Sequence, residues 1–433
     1  MSNLLRKLVW FAPLLTAVAV AFAQKPVTIE YWHINTESFG GPAVRELVAE
    51  FQRRNPGIRV EERFHHNAYT GLLQNLQAAL AAGNPPDVAQ IGYLFTDHVA
   101  ENFPFVPITD LARRHGGGER LLRFPPDLLA LGQVGGVQMG LPYSLSNIVV
   151  YYNADLFRRA GLSAERPPLT WEEWRQAARQ IKARTGKAGI YLILLDDNWG
   201  VEGLIASNGG SLLACGPDGH YRAGFDGKES AEALRFWADL VKEGLAVNAL
   251  LRQGEASFLA GEVAAMMTTI AKRAAFEEQT RGRFELRGAP FPRFGEKPSR
   301  LPGGGNVLTI FAKDPARQQA AWRFVEFLSS AEGFTLWTKG TGYVPLLAEI
   351  ATDARYLKDF IAKNPIQQIG VEQLPNTIRW TSFPGSNGLA ASQALFRAVQ
   401  RALGGEASPE AALRDAALTV NGLIKSERCS KQP

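Results

Sequence analysis

Adjacent acidic residues are the first groups in this chain with the chemistry of a catalyst. Glu172-Glu173 and Asp196-Asp197 each stand side by side in the sequence. A glycoside hydrolase needs two carboxylates on opposite sides of the scissile bond, and neighbours on one helix or turn do not take up those positions. Glu172-Glu173 is typical of a solvated surface, whereas Asp196-Asp197 precedes Trp199 and is predicted to bind hydroxyl groups at a cleft. A secreted glycoside hydrolase with a carboxylate pair remains the alternative function.

Three further patterns that could do chemistry are incomplete. The stretch 384–388 has proline where a serine-nucleophile elbow needs its first glycine. The Gly-Lys pair at 227–228 is followed by Glu229 rather than by serine or threonine, so the phosphate-loop pattern fails. His65 and His66 would point to opposite faces of a strand and could not easily share one metal ion. The sequence therefore predicts no catalytic residue, no cofactor and no metal site.

The stretch 139–153 combines two kinds of structural information. Its second half, residues 148–152, is a continuous β-branched and aromatic run, which predicts a strand buried on both faces. Pro142 removes a backbone donor from the first half. Hydrogen-bonding side chains follow at Tyr143, Ser144, Ser146 and Asn147. This pattern favours a chain crossing beside a polar cleft, and a plain loop with solvated hydroxyls is the alternative.

Strand and helix patterns alternate over residues 27–91. Their order is strand, helix, strand, helix, strand, which predicts a parallel α/β sheet. Ligands of such sheets bind beyond the carboxyl ends of the strands. In this chain those ends are predicted at residues 32–33, 66–69 and 92–93.

The remaining chain is predicted to build a second, helix-rich lobe. Helices are expected over 154–160, 171–184, 230–243 and around 258–267, with a capping box at 170–173. The Pro- and Gly-rich stretch 290–305 predicts a return to the first sheet. The chain is therefore divided into a first α/β lobe of residues 24–142 plus 291–329 and a second of 143–290 plus 330–433.

Length and charge limit the class of protein. The 433 residues exceed what one hydrophobic core usually supports, so two domains are expected. The net charge of +5 is spread thinly, and no basic run interleaved with aromatic residues occurs. We expect no nucleic-acid partner.

The N-terminus has the composition of a cleavable secretory signal. Arg6-Lys7 precedes the apolar stretch 8–22, and the small-residue pattern at 21–23 comes before Gln24. The apolar stretch is about fifteen residues long, whereas a membrane span needs about twenty. Residues 1–23 are therefore predicted to be a signal peptide. No cysteine lies near its end, so a periplasmic or extracellular protein without a lipid anchor is expected.

Cys215 and Cys429 are the two cysteines of the chain. An oxidising compartment would allow them to pair. Each lies in a polar or Gly-rich context, where a free thiol is equally plausible. The sequence leaves both possibilities open.

Seven segments carry a family resemblance through their order and spacing. They lie at 31–33, 51–60, 82–88, 141–143 with 151–153, 169–171, 258–266 and 341–345. Together they resemble the extracellular solute-binding proteins of bacterial ABC importers, in the maltose and glycerol-3-phosphate-binding group. The resemblance spans nearly the whole chain after the signal. It implies a two-lobed fold with several chain crossings and a ligand enclosed by hinge closure.

The resemblance also implies a function without catalysis. The protein is expected to bind a sugar, an oligosaccharide or a glycerol-phosphate-like polyol and to deliver it to the permease of an ABC import system. Its partners would be that ligand and the permease subunits. A monomer is expected.

Within the group, the sequence is most similar to glycerol-3-phosphate and glycerophosphodiester binding proteins. Matching residue by residue implies ligand contacts at Tyr69, Ser146, Thr269, Gly305 and Tyr343. Two positions depart from the pattern. The family's acidic residue after the third strand is replaced by Tyr93, and its C-terminal arginine falls near Ser392, with Arg397 as the alternative position. These groups would hold glycerol hydroxyls and a phosphate, so the identity of the ligand stays open.

The chemistry of polyols adds candidates to these positions. Sugars present apolar faces and a rim of hydroxyls, so their sites combine aromatic platforms with hydrogen-bonding side chains. Core packing is the alternative for each aromatic residue. The predicted ligand-binding residues are Trp32, Tyr69, Tyr93, Ser144, Ser146, Trp199, Thr269, Gly305 and Tyr343. Further candidates are Trp380, Asn67, Asn198, Asn306 and Asn387.

Overall fold

Two five-stranded sheets form the centres of two lobes in the computed structural model, which describes residues 26–194, 197–425 and 427–429. The predicted signal peptide, residues 1–23, lies outside the described residues, as does Asp196. The strands of the two sheets are, in chain order, β1 (Val27–His33), β2 (Ile58–Phe64), β3 (Val88–Gly92), β4 (Leu141–Ser146), β5 (Ile148–Asn153), β6 (Ala188–Leu192), β7 (Ala246–Val247), β8 (Val263–Thr269), β9 (Leu286–Pro290) and β10 (Gly304–Ile310). This architecture confirms the α/β class and the two sheet-containing lobes.

The first sheet has the strand order β2-β1-β3-β10-β4. Strand β1 pairs in parallel with β2 and β3, as the sequence predicts. Strand β10 pairs antiparallel with both β3 and β4. The sheet is therefore mixed, because β10 enters it from a chain crossing and runs opposite to the other strands.

The second sheet has the order β7-β6-β8-β5-β9. Every residue of β5 is buried, which confirms the expected doubly buried strand. The predicted helix around 258–267 is wrong. The helix Leu251–Leu259 ends before Gly261, which has a left-handed φ of 73°, and Val263–Thr269 is the central strand β8 between β6 and β5. An apolar segment of this length is equally compatible with a buried strand, and pairing on both sides decides the outcome.

Helices cover both sheets. Those near the first sheet in sequence are Gly41–Arg54, Ala68–Ala81, Thr96–Asn102, Ile108–His115, Gly118–Leu121, Pro126–Leu129, Pro315–Leu328, Ala331–Gly340 and Ala348–Thr352. The others are Ala154–Arg159, Trp171–Thr185, Trp199–Ser207, Lys228–Lys242, Leu251–Leu259, Arg273–Thr280, Lys358–Ala362, Pro365–Glu372, Gly388–Leu403 and Pro409–Ile424. Among the described residues, none of these helices combines the length and apolar character that a membrane span requires.

In the part of the chain that the structure describes, three crossings join the lobes. The first is Asn147 alone, between β4 and β5, and its buried amide is hydrogen-bonded to Gly370 and Gln373. The second runs from β9 to β10 and pairs Leu301–Pro302 with Thr377–Ile378. The third follows Gly340, where Thr341 accepts a hydrogen bond from Ala274 N at 2.7 Å. Hydrogen bonds at each crossing fix how the chain passes between the lobes.

The helix Ala331–Gly340 packs against Gly41–Arg54 and Pro315–Leu328, which cover the first sheet. The sequence division at residue 330 assigns this helix to the second lobe. Its contacts are nevertheless with helices of the first, because Phe334 and Trp337 bury their rings against Tyr143 of β4. The passage between the lobes lies at Thr341 rather than at 330.

Cys215 and Cys429 form a disulfide, with their Cα atoms 5.9 Å apart. Cys215 ends the short strand Leu213–Cys215, which pairs with Tyr221–Ala223. Backbone hydrogen bonds from Tyr221 N to Glu427 O and from Cys429 N to Gly219 O continue the attachment. The disulfide thus ties the end of the described chain to a hairpin of the second lobe.

Candidate functional site

A cluster of aromatic and amide side chains lies beyond the carboxyl ends of the first sheet's strands. Tyr69 enters it from the segment after β2, where Asn67 and Ala68 both have left-handed φ values, 61° and 50°. Asparagine tolerates this region, whereas alanine is strained in it, and strain of this kind occurs at binding sites. This turn precedes helix Ala68–Ala81, and Tyr69 is the second residue of that helix.

Tyr69 is held between a strand end and an amide. Its ring lies against Gly92 so closely that a Cβ at Gly92 would be 2.6 Å from Tyr69 Cγ. Asn306 Nδ2 donates to the Tyr69 hydroxyl at 2.9 Å. Burial raises the pKa of Tyr69 well above its ordinary value, so the phenol stays neutral and able to donate.

Tyr93 and Asn306 place two unpaired polar atoms beside Tyr69. Both residues are only 1% exposed, and neither Tyr93 Oη nor Asn306 Oδ1 has a hydrogen-bond partner. Asn306 pairs with Gly92 across the sheet, and Tyr93 follows Gly92 directly. Burial, followed by the nearby Tyr69 phenol, raises the pKa of Tyr93.

Tyr343 reaches the same cluster from the third crossing. Its ring stacks on Trp337 at 5.3 Å, and Trp337 stacks on Tyr143 at 5.1 Å. Burial raises the pKa of Tyr343, and Tyr69 is close enough to contribute. Thr341 Oγ1 accepts from Tyr343 N at 3.2 Å and so fixes the backbone of the crossing. The structure therefore brings Tyr69, Tyr93 and Tyr343 together in one group, the tyrosine cluster.

The second lobe faces this cluster with the start of helix Trp199–Ser207. The ring of Trp199 lies over Gly304, and its Nε1 donates to Pro302 O at 2.8 Å. Asp197 accepts from Trp199 N at 2.8 Å and is close enough to influence the pKa of Tyr69. Trp380 lies 6.2 Å from Trp199 and donates to buried Asn198.

Three residues of the paired strands β4 and β10 have local structural contacts. Ser146 pairs with Gly304, whose missing Cβ leaves room for the Ser146 hydroxyl and the Trp199 ring. Ser144 Oγ accepts from Trp337 Nε1 at 3.2 Å, so it supports the aromatic stack. Gly305 has φ +127°, and a Cβ there would lie 2.0 Å from Ser144 O, so close backbone approach requires glycine.

The contacts of two predicted ligand-binding residues, Trp32 and Thr269, are with residues outside the tyrosine cluster. The Trp32 ring lies 4.1 Å from the His65 ring at an interplanar angle of 38°, and Trp32 Nε1 donates to Glu30 at 2.7 Å. Thr269 ends β8, and its hydroxyl caps the following turn by accepting from Ala271 N at 3.1 Å. These contacts give Trp32 and Thr269 local structural roles.

Sequence reasoning did not single out Glu202 or Trp337. Glu202 is 3% exposed, and its carboxylate accepts from both the backbone and the hydroxyl of Thr381. Burial raises its pKa to about 7, with a smaller contribution from Asp197. An acid within the otherwise apolar segment 199–207 is the signal that could have identified Glu202. The stack of Trp337 depends on the fold and has no sequence periodicity.

The second departure from the family pattern, at Ser392, lies at the boundary between the lobes. Ser392 lines a small cavity between the lobes together with Leu94, His98 and Phe383. Arg397 is exposed on the same helix, Gly388–Leu403, so its guanidinium is solvated and does not line this cavity.

The acidic pairs have separate roles in the structure. Glu173 closes the predicted capping box with Thr170, and Glu172 is exposed beside it. Asp197 and Glu202 both belong to the start of one helix, on one side of the tyrosine cluster. Within residues 26–194, 197–425 and 427–429, no cluster of His, Cys, Asp and Glu side chains could hold a metal ion.

Two α/β lobes with a tyrosine cluster between them are the architecture of a protein that binds a small ligand in a cleft. Comparison with known families agrees with this class. Residues 46–366 match the family model of bacterial extracellular solute-binding proteins, and this span is well over half of the chain. The chain belongs to this family. Members of the family are binding proteins.

Individual relatives of known ligand are similar over most of their length. The sn-glycerol-3-phosphate-binding periplasmic protein UgpB of Escherichia coli K12 is 25% identical over 373 residues, which is 82% of either chain. The cyclic alpha-maltosyl-1,6-maltose binding protein of Arthrobacter globiformis has a crystal structure with TM-score 0.76 and 25% identity, covering 93% of this chain and 100% of the other.

A third similarity concerns the fold. UgpB of Mycobacterium tuberculosis, in complex with glycerophosphocholine, has TM-score 0.81 at 21% identity and covers 93% of this chain and 99% of its own. These similarities confirm the two-lobed fold expected from the sequence.

Proposed function

We propose that this protein is the substrate-binding component of an ABC import system and that its interlobe cleft binds a sugar, an oligosaccharide or a glycerol-phosphate-like polyol. The observation that carries the proposal is the cluster of buried Tyr93, Asn306 and Tyr343 with partly buried Tyr69, which Trp199 and Asp197 face from the other lobe. Its aromatic rings suit the apolar faces of a polyol. Its hydroxyl and amide groups suit the polar rim.

Contacts between the lobes support hinge closure as the binding mechanism. Arg379, beside Trp380, forms an ion pair with Asp97 of the first lobe at 2.9 Å. Lys272 Nζ, which lies after β8, is 4.8 Å from the centre of the Phe39 ring. The arrangement is that of a closed form, which the permease would recognise. The protein acts without covalent chemistry and as a monomer.

The ligands of the relatives support the class of solute. One relative binds sn-glycerol-3-phosphate and another binds a cyclic maltosyl-maltose. Of the predicted contacts, Ser146, Trp199 and Tyr343 lie at crossings or at the facing helix start, where a closing hinge brings both lobes to one ligand. Export would remove residues 1–23, so the working protein begins at Gln24.

Binding without turnover is the expected result of a direct test. Isothermal titration calorimetry of the full chain with maltose, trehalose, sn-glycerol-3-phosphate and glycerophosphocholine should give a micromolar or tighter complex with at least one of them. Analysis of the recovered ligand should find it unchanged. Release of a cleaved sugar would instead support the glycoside hydrolase alternative.

Tyr69→Ala and Tyr343→Ala should each weaken binding by about 1–3 kcal/mol, because each removes one aromatic ring of the cluster. Tyr356→Ala is the control, since the ring of Tyr356 contacts Arg355 instead of the cluster. Affinity that is equal in all three variants would contradict the proposed site.

A further inference from the structure

His33, the last residue of β1, is a buried histidine that is hydrogen-bonded at both ring nitrogens. Its side chain is 2% exposed, and Nε2 lies 2.5 Å from Glu62 Oε2. Nδ1 accepts a hydrogen bond from Asn35 N at 3.1 Å. Since a nitrogen that accepts carries no proton, His33 is the neutral tautomer that donates from Nε2 to Glu62. A proton added at Nδ1 would turn two donors towards each other and remove the bond to Asn35.

Asn35 connects His33 to the loop 34–40, which follows β1. Its side-chain oxygen accepts from Gln90 Nε2 at 3.0 Å, and its side-chain nitrogen donates to Phe39 O at 3.0 Å. Asn35 is 3% exposed, so water does not readily replace a lost partner there. Separation of Asn35 N from His33 would therefore also displace the side chain that holds Phe39.

The loop 34–40 lies where the lobes meet. The centre of the Phe39 ring is 4.8 Å from Lys272 Nζ of the second lobe and 6.2 Å from the centre of the Tyr343 ring. Gly40 has a left-handed φ of 83°, and a Cβ there would lie 2.9 Å from Thr341 Cγ2 at the third crossing. The conformation of this loop is therefore part of the closed arrangement of the lobes.

The titratable and charged groups that face His33 act in opposite directions. Burial has the largest effect and lowers the pKa of His33 below its ordinary value of 6.5, Glu62 opposes this change, and Arg45 of helix Gly41–Arg54 adds to it. Burial, followed by the nearby His33, lowers the pKa of His65 after β2. The stability contributed by neutral His33 is therefore complete above pH 6.5 and is lost as the pH falls from there through the folded pKa.

We propose that His33 is a pH-sensitive switch: its neutral ring holds the loop 34–40 against the second lobe, and a proton on Nδ1 releases the loop and weakens ligand binding. This inference rests on the proposed function, because the switch acts on the ligand through lobe closure. Acid should then favour release of the ligand by a residue that does not belong to the tyrosine cluster.

Hydrogen–deuterium exchange of the full chain without ligand tests the switch itself. From pH 7.5 to pH 5, and after correction for intrinsic rates, exchange of residues 34–40 should become about three- to tenfold faster, because one buried hydrogen bond is lost. His33→Asn has no group that titrates in this range and should remove the change. His220→Asn, the same substitution in the hairpin of the second lobe, is the matched control and should retain it.

Glu62→Gln provides a second test that keeps the histidine. The variant removes the carboxylate that favours the charged form of His33, so the pH midpoint of loop exchange should move to lower pH. A purely structural role of Glu62 would instead change the exchange rate at both ends of the pH range and leave the midpoint in place. That result would overturn the switch even if His33→Asn does not fold.

Calorimetry connects the switch to the ligand. A compound that binds, among the four tested for the proposed function, should bind about three- to tenfold more weakly at pH 5 than at pH 7.5, and this difference should be smaller in His33→Asn. Exchange of residues 34–40 that is independent of pH, or equally dependent on pH in wild type and His33→Asn, overturns the switch. Release of the loop without loss of affinity overturns its connection to binding. Failure of all four compounds to bind overturns the proposed function, whereas the exchange measurement still decides whether His33 controls the loop.

Discussion

Glu202 is a buried carboxyl whose partners come from a distant part of the chain. It lies on the fully buried helix Trp199–Ser207, and Thr381, 179 residues away, donates to both of its oxygens. These hydrogen bonds lower its pKa, but burial raises it further, so the resulting pKa is about 7. The folded protein therefore binds a proton at Glu202 close to neutral pH.

This pKa makes the stability of the protein depend on pH. Because the folded pKa of about 7 exceeds the ordinary value of 4.5, protonation of Glu202 favours the folded state. The contribution is complete below pH 4.5 and is lost as the pH rises through 7. The difference corresponds to about 3 kcal/mol. Urea denaturation should show that the loss of stability between pH 5 and pH 8 is smaller in Glu202→Gln than in the wild type.

Glu172→Gln is the matched control for this prediction. Glu172 is an exposed acid near a helix start, and its replacement should leave the pH dependence of the wild type intact. An identical loss of stability in Glu202→Gln and wild type between pH 5 and pH 8 would contradict the role given to Glu202.

Individual site residues were predictable from the sequence to different degrees. Tyr69 and Tyr343 were found by family resemblance, and the structure places them in one cluster. Gly305 was expected to contact a ligand, whereas its positive φ and its approach to Ser144 give it a backbone role. The unpaired oxygen of Asn306 was beyond the sequence, because hydrogen-bond satisfaction depends on neighbours brought together by folding.

At the scale of elements, local signals predicted most boundaries. The strands at 27–33 and 58–64 and the helix start at Trp171 follow from periodicity and from the Thr170 capping box. The sequence division placed helix Ala331–Gly340 in the second lobe, whereas its contacts are with helices of the first lobe. The apolar pattern of a helix does not indicate which sheet the helix covers. Strand β8 was predicted as part of a helix for a related reason, since its pairing partners are distant in sequence.

The disulfide joins elements that are 214 residues apart in the chain. A cross-link of this span restricts the unfolded chain strongly, and its removal typically costs about 2–5 kcal/mol. Cys215→Ser with Cys429→Ser should therefore lower the free energy of unfolding by this amount in urea denaturation. Ligand affinity should be unchanged, because the hairpin Leu213–Ala223 has no part in the tyrosine cluster.

Reduction provides the control for the disulfide prediction. Dithiothreitol should lower the stability of the wild type towards that of the double variant and should have no effect on the double variant itself. Equal stability of the oxidised wild type and the double variant would show that the cross-link does not restrict the unfolded chain as expected.

For the whole molecule, the proposed hinge closure makes the affinity for a ligand depend on the balance between open and closed lobes. Under the proposed hinge closure, Asp197 and Trp199 face the tyrosine cluster from the second lobe, and the Asp97–Arg379 ion pair joins the lobes. An exposed ion pair contributes little energy, about 0–1 kcal/mol. Contacts present only in the closed form nevertheless shift the equilibrium by their full free energy, because the open form lacks them.

Arg379→Gln should consequently weaken ligand binding by about two- to fivefold, mainly through faster dissociation, since the closed complex loses one contact between the lobes. Stopped-flow tryptophan fluorescence with the ligand identified by calorimetry would measure both rate constants. Arg355→Gln is the matched control, because Arg355 pairs with Asp353 at 2.6 Å within one segment and bridges no lobes. The difference between wild type and Arg379→Gln should shrink at high salt, where the ion pair is screened. Equal dissociation rates for Arg379→Gln and Arg355→Gln would exclude a role of this ion pair in holding the lobes closed.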